Sequence, residues 1–242
     1  MKQTNETSAW HAQQAARSFS LPLTVLTVLF CVLLIISNLI EIKTVDLGWL
    51  QITAGFVVFP LSYIINDCIV EVYGFAKARL VIWLGFAMSL MVSLFLQLAI
   101  MLPGSAEWTA QDAMATVYGN VPRIMAASFA AFLCGSMINA YVMARMKRTS
   151  GGRHFSLRAI VSTLWGESVD SLIFFPVAFG GILPWSVIVR LMVTQALLKT
   201  GYEIVILPVT IRAVRLLKRI EGGDSAPEPE VKSFKWWRIN EF

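Results

Sequence analysis

The chain carries six apolar segments, and each is long enough to cross a lipid bilayer as a helix. A spanning helix needs about 20 mostly apolar residues. The segments occupy residues 21–41, 50–73, 80–102, 124–146, 157–183 and 185–212. A turn-forming run, GGILP at residues 180–184, separates the last two. The sequence therefore predicts an all-α integral membrane protein, a six-transmembrane-helix bundle over residues 21–216 with tails at 1–20 and 217–242.

The composition excludes the soluble alternatives. Hydrophobic residues make up 57% of the chain and charged residues 14%, against about 25% charged residues in ordinary soluble domains. Neither a soluble fold nor a disordered chain accommodates so much apolar surface. The three cysteines lie inside apolar segments, whereas His11 and His154 lie in polar ones. The sequence therefore predicts no disulfide framework, no metal site and no cofactor.

Basic residues are distributed unevenly between the two sides of the predicted bundle. Most of the 20 Lys and Arg residues lie in the two tails and in the loops that follow the second and fourth segments. Because cytoplasmic loops are enriched in Lys and Arg, this pattern predicts a multi-pass protein of the cell inner membrane with both termini in the cytoplasm. Topology accounts for the basic residues, so no nucleic-acid partner is predicted. Residues 232–242 are interpreted either as a membrane-interface anchor or as a disordered tail.

Ionisable side chains stand inside the apolar segments at helical spacing. Each costs about 2.5–3.5 kcal/mol on insertion, so such residues usually face a cavity or a partner. The pairs are Asp67 and Glu71, Glu167 and Asp170, and Lys199 and Glu203. Spacings of three or four residues place each pair on one face of its helix. One polar cavity shared by the three faces is the simplest arrangement. The alternative is a set of ion pairs, but Lys199 alone is too few to neutralise five acidic residues.

The candidate substrate-binding residues are the polar residues assigned to this cavity: Asn38, Asp67, Glu71, Glu167, Asp170 and Lys199. The candidates for ring stacking are the aromatic residues near the polar stripes: Tyr63, Trp165 and Phe174. A carboxylate can accept two hydrogen bonds from the adjacent N–H and amino groups of a guanine-like edge, while aromatic faces contact the ring. These residues therefore favour a flat, hydrogen-bonding heterocycle as the solute.

Three sequence strings carry a resemblance to a known family: SNLIEIK at residues 37–43, FPLSYIINDCIVEVYGFAKAR at 59–79 and STLWGESVDSLIFF at 162–175. In this order they resemble the queuosine precursor transporter family, which belongs to the vitamin-uptake-like transporters. The resemblance covers about residues 21–216. It implies import of 7-cyano-7-deazaguanine, 7-aminomethyl-7-deazaguanine or queuine for tRNA modification. It also implies a bundle similar to the substrate-binding component of energy-coupling-factor importers. The polar positions of the family correspond to the six polar candidates.

Depth in the bilayer and chemistry suggest a role for most of these candidates. Glu167 or Asp170 is expected to bind the guanine-like edge, and Asn38 is expected to bond the solute from the outer end. Lys199 is expected to balance the cavity charge or to bond the ring carbonyl. Asp67 is expected to lie on the exit route.

Other function classes stay open at the level of the sequence. A binding subunit that needs an ATPase partner is disfavoured, because the first segment lacks an Ala-rich stripe for docking. A carrier of another purine-like or vitamin-like solute is compatible with the same residues. No HExxH, GxSxG or Cys–His pair is present, so no enzyme is predicted. No motif bears on a homodimer, which stays an open alternative.

Overall fold

The computed structural model of the chain describes residues 20–48, 50–73, 75–149 and 155–221. The helices of this part are α1 (Leu21–Ile40), α2 (Phe59–Tyr73), α3 (Phe75–Met101), α4 (Gln111–Tyr118), α5 (Val121–Thr149), α6 (Phe155–Phe179) and α7 (Trp185–Ile220). The predicted tails lie outside the described residues except at residues 20 and 217–221, and the candidate anchor at 232–242 lies wholly outside them.

The second predicted segment is not one continuous helix, which corrects the prediction for residues 50–58. Gln51–Thr53 forms strand β2, which pairs antiparallel with β1 (Thr44–Asp46). The β-branched residues of both strands favour this pairing, and Gly48 adopts the positive φ of 87° in the connecting turn. A 3-10 turn, Ala54–Val57, then leads into α2.

The surface of the bundle is apolar and much of its interior is polar. Phe95 is 64% exposed and Val205 is 76% exposed, whereas Ser93, Thr53 and Gln195 are at most 2% exposed. Soluble proteins show the opposite preference for polar side chains. Because lipid is the solvent that accommodates such a surface, the chain is a multi-pass membrane protein.

Helix length and hydropathy divide the long helices into two groups. Four stretches of the described residues are long and apolar enough to cross a bilayer: Leu21–Ile40, Lys77–Met101, Gln111–Asn139 and Ile160–Phe179. Two helices fall outside this group for different reasons. α2 has only 15 residues, because the hairpin occupies the first part of its apolar segment. α7 has 36 residues, and its charged residues lower its mean hydropathy.

Two apolar clusters form the core of the bundle. One joins α1, α2, α3 and α5 through buried side chains that include Phe30, Ile69 and Phe132. The other joins α5, α6 and α7 through side chains that include Phe175 and Leu191. Buried apolar side chains therefore hold both halves of the bundle, and polar groups are left for the region between them.

Glycines on α5 and α6 allow the backbones of these two helices to approach closely. A Cβ at Gly135 would lie 2.9 Å from the carbonyl oxygen of Gly166, and a Cβ at Gly166 would lie 3.0 Å from that of Gly135. Gly135 continues a small-residue stripe with Ala127 and Ala131, which are at most 1% exposed. The stripe therefore packs inside the bundle.

Polar contacts close the bundle at its two ends. At one end, Arg123 of α5 donates to two carbonyl oxygens at the C-terminus of α6, at 2.6 and 2.5 Å. These carbonyls have no later turn of helix to bond them, and they also attract a cation. At the other end, Ser20 and Tyr73 both donate to Oε1 of Glu221, at 2.5 and 2.7 Å. The first and last described residues therefore lie at the same end of the bundle.

Gly166→Ala is expected to destabilise the folded protein by about 1–3 kcal/mol, the usual cost of overpacking a tight contact. The added methyl group would lie 2.9 Å from Cβ of Asn139 as well as against the backbone of Gly135. Gly201→Ala is the matched control, because its Cβ would meet nothing within 4 Å. Thermal unfolding of both purified variants in detergent measures the difference. Equal unfolding midpoints would contradict the close contact.

Candidate functional site

A cavity opens between α1, α2, α5, α6 and α7. Its polar lining is Ser37, Asn38, Glu41, Ser128, Asp170, Gln195 and Lys199. Its aromatic lining is Phe56, Phe59, Phe174 and Phe175. Small-molecule sites commonly combine apolar walls with a few polar groups. Within the described ranges, no group of three His, Cys, Asp or Glu side chains is placed to hold a metal ion.

Lys199 is the charged centre of this cavity. Its Nζ lies 2.9 Å from Oδ2 of Asp170 and 3.3 Å from Oε2 of Glu167. It also stands 4.4 Å from the centre of the Phe59 ring, a cation–π contact. The three charged side chains are at most 10% exposed. Because one cation faces two carboxylates, the cluster has more acceptors than donors and favours a solute that offers hydrogen-bond donors.

A second buried network joins α1, β2 and α7. The side-chain amide of Gln195 donates to Oγ1 of Thr53 at 2.6 Å, and that hydroxyl donates to Oε1 of Glu41 at 2.6 Å. Glu41 and Gln195 line the cavity, and Thr53 is fully buried. Both Glu41 and Gln195 are visible in the sequence as polar residues of apolar segments. Their connection through Thr53 depends on the hairpin, which no helical periodicity predicts.

The predicted polar residues lie at different distances from the cavity. Asn38, Asp170 and Lys199 line it, and Glu167 adjoins it through the ion pair with Lys199. Asn38 is 5% exposed, and its Nδ2 has no hydrogen-bond partner among the described residues. This amide is therefore available as a donor to a bound solute.

Asp67 does not line the cavity. Its charge interacts with that of Glu203 on α7, and Glu203 is hydrogen-bonded to Thr163 on α6. Asp67 stands about two helical turns beyond Phe59 along α2, so this acidic pair lies nearer the end formed by the first and last described residues. The side chain of Glu71 lies outside the part of the chain that the structure describes.

The predicted stacking residues do not share one location either. Phe174 lines the cavity, whereas Trp165 does not and is 57% exposed. A spacing of two residues turns Trp165 by about 200° from Glu167 around α6, and so toward the lipid-facing side. The side chain of Tyr63 lies outside the described residues. No sequence pattern distinguishes the cavity residues Phe56 and Phe59 from other apolar residues.

A second cavity adjoins the first at Phe59, which lines both. Its other walls come from α1, α2, α3 and α5: Phe30, Leu34, Ser62, Asn66, Phe86 and Phe132. Aromatic side chains dominate this lining, so the second cavity is the more apolar of the two.

Comparisons with known proteins agree on a transporter family. The family model described as "Putative vitamin uptake transporter" matches residues 53–213. The chain is 30% identical over 186 residues to the "Probable queuosine precursor transporter" of Bacillus subtilis (strain 168), which covers 76% of this chain and 81% of that protein. It is 31% identical over 153 residues to the "Queuosine precursor transporter" of Escherichia coli (strain K12), which covers 62% of this chain and 66% of that protein. No solved structure matches significantly.

Lys199→Met is expected to destabilise the protein more than Asp170→Asn does. Removal of the cation leaves two buried carboxylates without a partner, and a broken buried ion pair costs about 3–5 kcal/mol. Asp170→Asn retains the 3.3 Å pair of Lys199 with Glu167. Thermal unfolding in detergent gives the order, with Arg190→Met as the control because Arg190 is an exposed cation of the same helix. Equal midpoints for Lys199→Met and Arg190→Met would contradict the stabilising role of the ion pairs.

Proposed function

This chain belongs to the vitamin uptake transporter family, and we propose that it carries a queuosine precursor across the inner membrane into the cytoplasm. The solute is 7-cyano-7-deazaguanine, 7-aminomethyl-7-deazaguanine or queuine, each of which supplies a tRNA modification. Two relatives that align with most of the chain are named for queuosine precursor transport. The protein acts as a carrier and leaves the solute chemically unchanged.

The cavity around Lys199 supports this proposal more directly than any other feature. A deazaguanine is a flat ring with N–H and amino donors along one edge and a carbonyl oxygen beside them. The carboxylates of the cavity can accept from these donors, and Lys199 and Asn38 can donate to the carbonyl oxygen. Phenylalanine side chains such as Phe174 offer apolar contact to the ring faces. The lining therefore matches the solute in polarity and in hydrogen-bonding chemistry.

The proposed carrier crosses the membrane six times, with α2 and α7 added to the four most apolar helices. The 36 residues of α7 extend about 54 Å at 1.5 Å per residue, more than the hydrocarbon core of about 30 Å. The contact between Ser20 and Glu221 supports an even number of crossings, because the two ends of the described chain then lie on one side. Basic residues near that end, such as Lys77 and Arg219, support a cytoplasmic location for it.

We further propose that the protein transports without an ATPase partner. Helix α1 carries no Ala-rich stripe that a coupling subunit could dock against. The similarity to the substrate-binding component of energy-coupling-factor importers stays a prediction, as does a homodimer.

The six crossings predict that two exposed sites lie on opposite sides of the membrane. In a cysteine-free background, we expect Ser105→Cys to react with a membrane-impermeant maleimide in intact cells. Arg219→Cys is expected to react only after the membrane is opened. Ser105 lies in the exposed loop after α3, and Arg219 is exposed near the end of α7. If only the four most apolar helices crossed, both sites would share one side, so equal labelling in intact cells would contradict six crossings.

Asp170→Asn is expected to reduce import of labelled 7-cyano-7-deazaguanine by at least about ten-fold, because a charge-assisted hydrogen-bond acceptor contributes about 1.5–3 kcal/mol. Uptake is measured in cells that lack both their own deazapurine synthesis and their own importer. Asp112→Asn is the matched control, since Asp112 is an exposed aspartate of α4 outside the cavity. The amount of each variant in the membrane is measured in parallel.

The outcomes of this uptake experiment separate the parts of the proposal. Wild-type uptake no greater than that of cells without the protein contradicts the function. Normal uptake by Asp170→Asn contradicts the site while leaving the function intact. Equal uptake of guanine would make the protein a general purine carrier. Transport by the purified protein in liposomes would exclude an obligatory ATPase partner.

A further inference from the structure

We propose that Glu41 binds the hydrogen-bond donors of the transported base, and that Thr53 and Gln195 are positioning residues that hold its carboxylate. The inference deepens the proposed function and rests on it. The donors are the ring N–H and the adjacent exocyclic amino group of a guanine-type base. A single carboxylate can accept both side by side, as carboxylates do with the paired N–H groups of arginine.

Glu41 is the carboxylate of the cavity lining that is not held by a cation. Asp170 is paired with Lys199 at 2.9 Å, whereas Glu41 forms no ion pair with any described residue. Its Oε1 accepts a hydrogen bond from Thr53, and its Oε2 has no hydrogen-bond partner in the described part of the chain. Glu41 lines the cavity although it is only 7% exposed. Glu41 therefore brings a carboxylate with free lone pairs to the lining of the cavity.

The hydrogen bonds behind Glu41 have a fixed direction. The amide nitrogen of Gln195 can only donate, so it occupies a lone pair of Oγ1 of Thr53. The single hydrogen of that hydroxyl is then directed to Oε1 of Glu41. Thr53 is fully buried and Gln195 is 2% exposed, so water does not compete for these bonds. The network therefore holds the carboxylate in one orientation before a solute binds.

Gly55 shapes the other side of the same carboxylate. A Cβ at this position would lie 1.8 Å from Oε2 of Glu41 and 2.9 Å from the carbonyl oxygen of Ser37. Any larger residue at position 55 would therefore displace the carboxylate. The hydroxyl of Thr53 on one oxygen and the absent side chain of Gly55 beside the other together define where Glu41 stands.

Asn38 completes an edge that is complementary to a guanine-type base. Asn38 and Glu41 are three residues apart at the end of α1, which places them on the same helix face. Both line the cavity, and Nδ2 of Asn38 has no partner among the described residues. An acceptor at Glu41 beside a donor at Asn38 matches a base edge with two donors beside a carbonyl oxygen.

The test compares the binding of two compounds to the purified full-length protein in nanodiscs by calorimetry. One compound is 7-cyano-7-deazaguanine, and the other is its analogue without the exocyclic amino group. The wild-type protein is expected to prefer the amino compound by at least about ten-fold, because the analogue leaves a buried acceptor without one of its donors. In Glu41→Gln, we expect this preference to fall to about two-fold or less.

Thr53→Val tests the positioning role, because valine keeps the shape of threonine and removes its hydroxyl. We expect the preference to fall in the same direction as in Glu41→Gln, since the carboxylate is no longer held in one orientation. Thr200→Val is the matched control. Thr200 is also a buried threonine, but its hydroxyl donates to the carbonyl of Ala196 in its own helix, so the wild-type preference should be retained.

The outcome is decided by the ratio of the two binding affinities, for the amino compound and for its analogue, rather than by either affinity alone. An unchanged preference in Glu41→Gln, with both affinities lowered equally or not at all, overturns the inference. If Glu41→Gln does not fold, an unchanged preference in Thr53→Val overturns it instead. Wild-type protein that binds both compounds equally also overturns it and leaves transport intact. Wild-type protein that binds neither compound contradicts the proposed function, and the inference falls with it.

Discussion

The two ion pairs of Lys199 are the contacts on which the arrangement of the cavity depends. A carboxylate inside the hydrocarbon region is costly without a partner, so Glu167 and Asp170 require the cation that α7 supplies. Meeting that requirement sets both the rotation and the depth of α6 against α7. The aromatic walls and Asn38 are then grouped around a centre that has more acceptors than donors. The charge that is costly to bury is the same charge that gives the cavity more hydrogen-bond acceptors than donors.

Elsewhere the helices associate without much help from the hydrophobic effect, because lipid is as apolar as the side chains that face it. Other contacts therefore hold the helices together. They include the close backbone contact between Gly135 and Gly166 and the hydrogen bonds from Arg123 to backbone carbonyls. The glycine contact also bears on the cavity. A Cβ at Gly135 would lie 3.1 Å from Cβ of Asp170, so the packing of α5 on α6 sets the position of that carboxylate.

The features that follow from local rules could be predicted from the sequence. Apolar length is sufficient to predict α1, α3, α5 and α6, and helical spacing is sufficient to place Glu167 and Asp170 on one face. The same helical geometry predicts that Trp165, two residues from Glu167, faces the lipid. The hydrogen-bond network at Glu41 could not be predicted from such local rules. Thr53 is 12 residues from Glu41 and 142 from Gln195, and the second strand of the hairpin that brings it in lies inside an apolar run. Only the packing of distant segments joins these residues.

Phe59 borders both cavities and lies 4.4 Å from the ammonium group of Lys199. Its ring is therefore a wall that the two cavities share, and any rotation of the ring changes the shape of both. The same ring contacts the cation that the carboxylates hold, so a solute that displaces the ammonium group of Lys199 also changes the surroundings of this shared wall.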